Sequence, residues 1–489
     1  MPLFSENSGS ACWDEAKFYE TKKNRVARPH GAQPVNSPKT GQDTPESMLT
    51  HSRTAAQRIL RMRSRGLYLL LGIVALLMVS DFLLRAIVPA FEPAKTDFSE
   101  LYTSAWLWRH GQNFYNSSLT TATQKRLVGV SVQVAPIYPP TTFALLSPFT
   151  YLPYGWANFL WLLLGLAGVA ATIFLLWRLG GSRVWDLGTM AFITFLLSFD
   201  PLHQAFHLGN VALLVVPLAL WAILLAEREQ DWRAGLAIGI AASLKPQIGV
   251  WVLLYYVLRD RKRMFLGALT AGALAVAILL LRPVPLFNVI SDYRVNLQHW
   301  FAPGRPYGFS EGALPFHVNV IQVILYRFVH SVFAANLIAH TLFVSGVAVW
   351  ILILRGARFR IPAPLAISSL LALSFLSLYH SVSDSTILTL ALCWAIPAEH
   401  QSWTRTKLLT CVVFLLVMLP GHSALMRLTP HIEASITTAW WWGLFVTRYF
   451  VWLLLALNVV FLFGLWESAR SIRESDHEKT GGSVISLAR

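Results

Sequence analysis

Long apolar runs separated by short polar stretches fill the chain between residues 66 and 466. A helix that crosses a bilayer needs about 20 predominantly apolar residues. Five runs have roughly that length, namely 66–88, 155–177, 264–281, 333–354 and 440–466. Five shorter runs lie between them, at 185–199, 211–226, 362–378, 385–397 and 407–420. The pattern predicts an all-α polytopic membrane protein with about 10–13 transmembrane segments.

A proline interrupts one further apolar stretch. Residues 234–244 and 246–258 meet at Lys245-Pro246, and proline inside a helix removes a backbone hydrogen bond and clashes with the preceding turn. We therefore expect one hairpin or two truncated helices here. Broken helices within a membrane are tolerated beside a cavity or inside protein.

The composition agrees with a membrane protein. Of the 489 residues, 55% are hydrophobic and 13% are charged, against about 25% charged in soluble proteins. The net charge of +15 does not indicate a nucleic-acid partner, because the basic residues lie in the N-terminal part and in short loops. We expect a disordered basic cytosolic arm over 1–65, a transmembrane domain over 66–466 and a cytosolic tail over 467–489.

The cysteines indicate neither a disulfide framework nor a metal site. Cys12, Cys393 and Cys411 are far apart and form no CxxC motif. We therefore predict no metal and no cofactor.

Basic loops predict the orientation of the chain. If the N-terminal arm is cytosolic, alternate crossings place the arginines near 178, 228, 259–263, 355–360 and 405 on the same side, as the positive-inside rule requires. The opposite, outer face then carries a set of polar side chains: Asp97, Tyr138, His203, His207, Asn210, His299, His380 and Asp384. Polar groups gathered on one face predict a site that opens away from the cytosol.

The first outer loop, 89–140, is too long for a simple connection. Phe98, Leu101, Ala105 and Trp108 share one helical face, so we expect an amphipathic helix along the membrane interface. Asp97 suits either the cap of this helix or a catalytic role, and Glu100 suits its acidic first turn.

The order of several short motifs resembles a known family. An acid soon after the first apolar run is followed by small and aromatic residues, a Tyr-Pro-Pro turn, a Gly-Asn pair and a Lys-Pro break: Asp97-Phe98, Tyr102, Ala105, Gly111, Tyr115, Tyr138-Pro139-Pro140, Gly209-Asn210 and Ala242 to Gln247. From about residue 66 to 466 the chain resembles glycosyltransferase family 87. That family belongs to the GT-C superfamily of polytopic transferases and includes polyprenyl-phosphate-mannose-dependent mannosyltransferases.

The resemblance implies a multi-pass cell-membrane enzyme with a GT-C-like bundle. It would move a sugar, mannose in the first instance, from a polyprenyl-phosphate carrier to a glycolipid or glycan on the outer face. In the family the acid of the first outer loop is the general base, a role that falls on Asp97. We expect membrane lipids and the two substrates as partners, and no nucleic acid.

One carboxylate is chemically sufficient for such a transfer. A base must take the acceptor proton, whereas a phosphate leaving group carries its own charge and does not need the second carboxyl of a glycosidase. Cations or hydrogen-bond donors would hold the phosphate. The candidates are Lys245, His203, His207 and His380, with Arg294 or Arg305.

Each candidate also has a purely structural interpretation. Lys245 suits a lysine whose ammonium reaches the membrane surface, and Asn210 suits a helix cap. Asp384 and His380, four residues apart, suit either a capping turn or substrate binding. Tyr138 suits loop shaping or substrate binding.

Other function classes remain open. A lipid-linked sugar transporter or flippase and a structural subunit of an envelope assembly share this composition. Within the enzymes, an arabinofuranosyl donor is the alternative to mannose. Asp81 and Arg85, four residues apart, are predicted to form an ion pair within the first span.

Overall fold

A computed structural model describes residues 69–70, 72–91, 97–130, 136–180, 196–302, 308, 319–396, 403–418, 425 and 428–486. The chain divides after Ser64 into two units, and everything below concerns the second. The predicted disordered arm, 1–65, lies outside the described residues, as does Arg305. All regular elements in the described ranges are helical, which confirms the predicted all-α class.

The first half of the described chain contains nine helices. Helix α1 covers 72–82 and continues through a π-helical turn, Leu83–Ile87, to Val88–Ala90. The others are α2 (Asp97–Arg109), α3 (Ser117–Val128), α4 (Pro140–Leu146), α5 (Tyr154–Leu179), α6 (Asp200–Leu208), α7 (Ala212–Glu227), α8 (Asp231–Leu244) and α9 (Pro246–Leu258).

The second half continues with α-helices and a few 3₁₀ and π-helical segments. The helices are α10 (Lys262–Leu280), α11 (Leu286–Phe301), α12 (Gln322–Val329), α13 (Val332–Gly356), α14 (Ala363–Ser377), α15 (Leu392–Ala395), α16 (Arg405–Met418), α17 (Ala434–Thr437) and α18 (Tyr449–Ser486). A 3₁₀ segment, Val382–Ala391, leads into α15, and a π-helical turn, Trp442–Val446, precedes α18. The predicted tail at 467–489 continues α18 as far as Ser486.

Four of the described helices are long and apolar enough to cross a membrane: Tyr154–Leu179, Lys262–Leu280, Val332–Gly356 and Tyr449–Asp476. They match four of the five long runs predicted from the sequence. Four shorter apolar helices accompany them, at Ala212–Glu227, Pro246–Leu258, Ala363–Ser377 and Val382–Ala395. The outer surfaces of the four long helices expose leucine, valine and phenylalanine, which is favourable against lipid tails. The protein is a multi-pass membrane protein.

The predicted break at Lys245 is present. Helix α8 ends at Leu244, α9 begins at Pro246, and Lys245 between them is extended, with φ −154° and ψ 89°. Glycines allow α8 to lie directly against α10, since a Cβ on Gly235 would collide with the carbonyl oxygen of Met264. This close packing fixes α8 and thereby the position of Lys245.

The predicted helix of the first outer loop is also present, as α2. Nine of its thirteen residues are buried, and these include polar residues such as Thr103 and Ser104. Both its apolar and its polar sides are therefore covered by protein. As a result Asp97, at the first turn of α2, faces other side chains of the protein.

Candidate active site

The Asp97 carboxylate is held by two hydrogen-bond donors from distant parts of the chain. Asn210 Nδ2 donates to Asp97 Oδ2 at 2.6 Å, and the Tyr138 hydroxyl donates to the same oxygen at 3.2 Å. Asn210 Nδ2 also lies 3.1 Å from the Tyr138 hydroxyl oxygen. The structure thus brings together three of the residues singled out in the sequence.

The turn between α6 and α7 positions Asn210. Gly209 ends α6 in the left-handed region, with φ +65°, and a Cβ there would lie 2.9 Å from Phe98 Cβ. Glycine is therefore required for α6 to approach the start of α2. Asn210 Oδ1 accepts from the backbone nitrogen of Ala212 at 2.9 Å, so the same amide caps α7 and holds Asp97.

The segment before α4 positions Tyr138. The Tyr115 hydroxyl donates to the Tyr138 carbonyl oxygen, and Pro140 begins α4 at a position where a missing N–H has no cost. Thr142 Oγ1 then donates to the carbonyl oxygen of Leu244 at 2.9 Å. This bond ties α4 to the end of α8, next to Lys245.

Lys245 is buried, with 5% of its surface exposed. Its ammonium lies 3.1 Å from Asn210 Oδ1 and 3.4 Å from Ser381 Oγ, and it forms an ion pair with Asp384. An ammonium has three donors, and each has an acceptor here. A phosphate could therefore approach Lys245 only by replacing one of these acceptors, and Ser381 Oγ is the most distant of them.

Asp384 and His380 belong to the turn that follows α14. Ser381 and Asp384 form a capping box, in which Asp384 Oδ2 accepts from the backbone nitrogen of Ser381 at 3.0 Å. His380 stacks on Phe375, with ring centroids 3.9 Å apart, and its Nδ1 lies 3.7 Å from Asp384 Oδ2. The capping turn and the contact with the polar network therefore coexist.

Burial changes the acidity of the carboxyl groups on α2. It raises the pKa of Asp97 above its ordinary value, an effect opposed by the hydrogen bond from Asn210 and by the charge of Lys245. Burial, and then the negative charge of Asp97, raise the pKa of Glu100 to about 8. A general base with a raised pKa is a stronger proton acceptor while it stays ionised near neutral pH.

His203 and His207 lie on α6, and His203 belongs to a different cluster. Its Nε2 contacts the carbonyl oxygen of Leu197 at 2.5 Å, and its Nδ1 lies 3.7 Å from Asp81 Oδ2. Arg85 bridges Asp81, at 3.3 Å, and Asp200, at 2.9 Å. The predicted Asp81–Arg85 ion pair is thus present, and His203 packs against it. No described contact joins His203 to Asp97.

The histidine and arginine candidates of the 282–313 loop do not join the network in the described residues. Arg294 and His299 lie on α11 and are exposed. Ser381, by contrast, contacts Lys245 and was not among the predicted residues. Its Ser-x-x-Asp spacing to Asp384 is a sequence signature of a capping box, but that signature does not indicate a lysine partner.

An apolar cavity of about 690 Å³ lies along α7. Its lining includes Leu214, Leu218 and Trp221 of α7, Ala171 of α5 and Leu244 of α8. Leu244 is the residue before Lys245, and it is the lining residue that precedes the polar site along the chain. Apolar residues make up nearly all of its lining.

Curated proteins with detectable similarity are mycobacterial glycosyltransferases. An alpha-(1->3)-arabinofuranosyltransferase of Mycobacterium tuberculosis (strain CDC 1551 / Oshkosh) is 24% identical over 210 residues, which cover 42% of this chain and 46% of that protein. A polyprenol-phosphate-mannose-dependent alpha-(1-2)-phosphatidylinositol pentamannoside mannosyltransferase of the same organism is 26% identical over 110 residues, or 22% of this chain and 25% of that protein. The matches thus span less than half of the length of these relatives.

A solved structure also matches with a low score. ArnT from Cupriavidus metallidurans in the apo state aligns with 80% of this chain and 77% of its own, at 16% identity and a TM-score of 0.30.

The family profile gives the stronger result. The profile of glycosyltransferase family 87 matches residues 137–420, a range that includes Tyr138, Asn210, Lys245 and Asp384 and leaves Asp97 outside. More than half of the chain is covered, so the resemblance noted in the sequence is confirmed: the chain belongs to glycosyltransferase family 87.

Proposed function

We propose that this protein transfers a sugar from a polyprenyl-phosphate carrier to a hydroxyl group of a glycolipid or glycan, by inversion, with Asp97 as the general base. The observation that carries the proposal is the Asp97 carboxylate, which receives hydrogen bonds from Asn210 and Tyr138 and lies close to the buried ammonium of Lys245. An acid in the first outer loop held in this way suits proton abstraction.

The reaction needs one proton transfer and one bond exchange. Asp97 takes the proton of the acceptor hydroxyl. At the same time the oxygen of that hydroxyl forms a bond to the anomeric carbon of the sugar. The bond from that carbon to the carrier phosphate breaks, and the phosphate leaves with the electron pair. Because the two donors meet on Asp97 Oδ2, Oδ1 is the oxygen better suited to receive the proton.

The departing phosphate requires a compensating positive charge. Lys245 is the buried cation of the described network, and an ammonium at a helix break is costly unless it faces an anion or cavity. We assign the phosphate to the side of Lys245, where Ser381 Oγ is the acceptor that it would displace. Asp384 would then orient the ammonium.

The lipid carrier needs an apolar site beside this polar one. The cavity along α7 is lined by Leu244, the residue before Lys245, and is almost entirely apolar, which suits a prenyl chain. Mannose is the proposed sugar, in line with the mannosyltransferase among the relatives. Arabinofuranose is the second candidate, because the longer alignment is with an arabinofuranosyltransferase.

Sugar transfer by the purified protein tests the proposal. We expect the protein to transfer mannose from polyprenyl-phosphate mannose, or arabinofuranose from the corresponding polyprenyl-phosphate donor, to acceptors in a glycolipid extract. Mass spectrometry of the extract detects the product. Asp97→Asn keeps the size and polarity of the side chain but removes the base, so the rate should fall by about 10² to 10⁴. Asp260→Asn, at an exposed carboxylate, is the matched control.

Two outcomes would contradict the proposal. Unchanged transfer by Asp97→Asn would exclude Asp97 as the base. Movement of either donor across liposomes without any transferred product would instead favour a transporter.

A further inference from the structure

Glu100 is a half-buried residue whose carboxyl group the mechanism above does not use. It lies three residues after Asp97 on α2, so both side chains share one side of the helix. Its Oε1 atom is buried and has no hydrogen-bond partner among the described residues. A buried polar atom without a partner is rare and calls for a physical explanation.

The surroundings of the two carboxyl groups differ. Asp97 receives hydrogen bonds from Asn210 and Tyr138, with the Lys245 ammonium beyond Asn210. These interactions stabilise the ionised form of Asp97. The described residues supply Oε1 of Glu100 with no such donor, and the negative charge of Asp97 opposes a second charge beside it.

We propose that Glu100 stays protonated during the reaction, and that its neutral carboxyl limits the site to one net negative charge so that the anionic donor can bind. This inference rests on the proposed function. Asp97, Lys245 and Asp384 together carry a single negative charge when all three are ionised. An ionised Glu100 would add a second negative charge. In a region of low dielectric constant, that charge would repel the phosphate of the donor.

The two tyrosines that approach Glu100 keep their charge state over the relevant range. Tyr115 and Tyr138 approach it from the segments before α3 and α4, and burial raises the pKa of each well above its ordinary value. Both therefore remain neutral below pH 9. The donor is a phosphodiester, whose charge is constant between pH 6 and 9. Glu100, with a pKa of about 8, is the group expected to change.

The experiment compares the wild type with Glu100→Gln across pH. For the wild type, the KM for the donor should rise about tenfold per pH unit above the Glu100 pKa, with a smaller change in kcat. Glu100→Gln is a permanently neutral mimic. It should keep nearly full activity at pH 7 and lose the alkaline rise in KM. In infrared spectra, the protonated-carboxyl band present at pH 7 should be diminished in Glu100→Gln.

The proposal fails if Glu100→Gln loses activity at pH 7 as Asp97→Asn does, since Glu100 would then have to be charged. It also fails if both proteins show the same alkaline profile, or if the infrared band is unchanged. These results differ from those that would contradict the proposed function. That function is contradicted if the Asp97→Asn protein stays active.

Discussion

At the scale of residues, single side chains of the site serve the fold and the network at once. Asn210 caps α7 through Oδ1 and holds Asp97 through Nδ2. Asp384 completes a capping box and pairs with Lys245. For both residues the predicted capping role is present. A cap uses only part of the hydrogen-bonding capacity of the side chain, so the rest contacts the network, and substrate binding by these residues stays a prediction.

The buried Lys245–Asp384 pair should be important for stability. Lys245→Met leaves an uncompensated carboxylate and Asp384→Asn leaves an uncompensated ammonium, so each should reduce the free energy of unfolding by roughly 3 to 5 kcal/mol. The double variant should lose less than the sum, since no buried charge stays unpaired. Lys262→Met, which removes an exposed pair, should change little. Thermal unfolding in detergent measures all four, and a Lys245→Met protein as stable as the wild type would contradict the expectation.

At the scale of elements, helix ends build the site. The start of α2, the α6–α7 turn, the α8–α9 break and the turn after α14 supply Asp97, Asn210, Lys245 and Asp384. At helix ends, backbone N–H and C=O groups lack partners within the helix and can bond to side chains or ligands. In the middle of a helix these groups bond to each other. The apolar cavity, by contrast, is lined mainly by the middles of α5 and α7.

Two neighbouring alanines on α5 test the proposed role of that cavity. Ala171 lines it, whereas Ala170 is exposed on the same turn outside the lining. Ala171→Trp should fill part of the cavity and raise the KM for a long-chain polyprenyl donor, while Ala170→Trp should not. A short-chain donor should be affected little by either change. Equal KM values for the long-chain donor in the two variants would place the prenyl chain elsewhere.

At the scale of the whole molecule, basic turns and the polar network occupy different helix ends. Arg259, Arg261, Arg358 and Arg360 line a cavity at the α9–α10 and α13–α14 turns. Lys245 lies at the opposite end of α9 from the α9–α10 turn, and Asn210 links it to Asp97. This separation is what the positive-inside prediction requires of a site on the outer face.

Cysteine labelling tests this orientation. In a background without Cys12, Cys393 and Cys411, Ser118→Cys on α3 should react with a membrane-impermeant maleimide in intact cells. Lys262→Cys, at the exposed α9–α10 turn, should react only after permeabilisation. Both positions are exposed in the structure. The reverse pattern would move the Asp97 site to the cytosolic face.

The membrane class, the long apolar helices, the break at Lys245 and the family could all be predicted from the amino-acid sequence, because hydrophobic length, proline chemistry and motif order are local properties of the chain. The sequence also identified Asp97, Tyr138, Asn210, Lys245 and Asp384 as candidates. The packing of the helices, in contrast, brings these five together, sets His203 against the Asp81–Arg85 cluster, and leaves Oε1 of Glu100 without a donor among the described residues. Such contacts join residues more than 100 positions apart, as for Lys245 and Asp384 or Asp97 and Asn210, and depend on how helices pack, which no local pattern encodes.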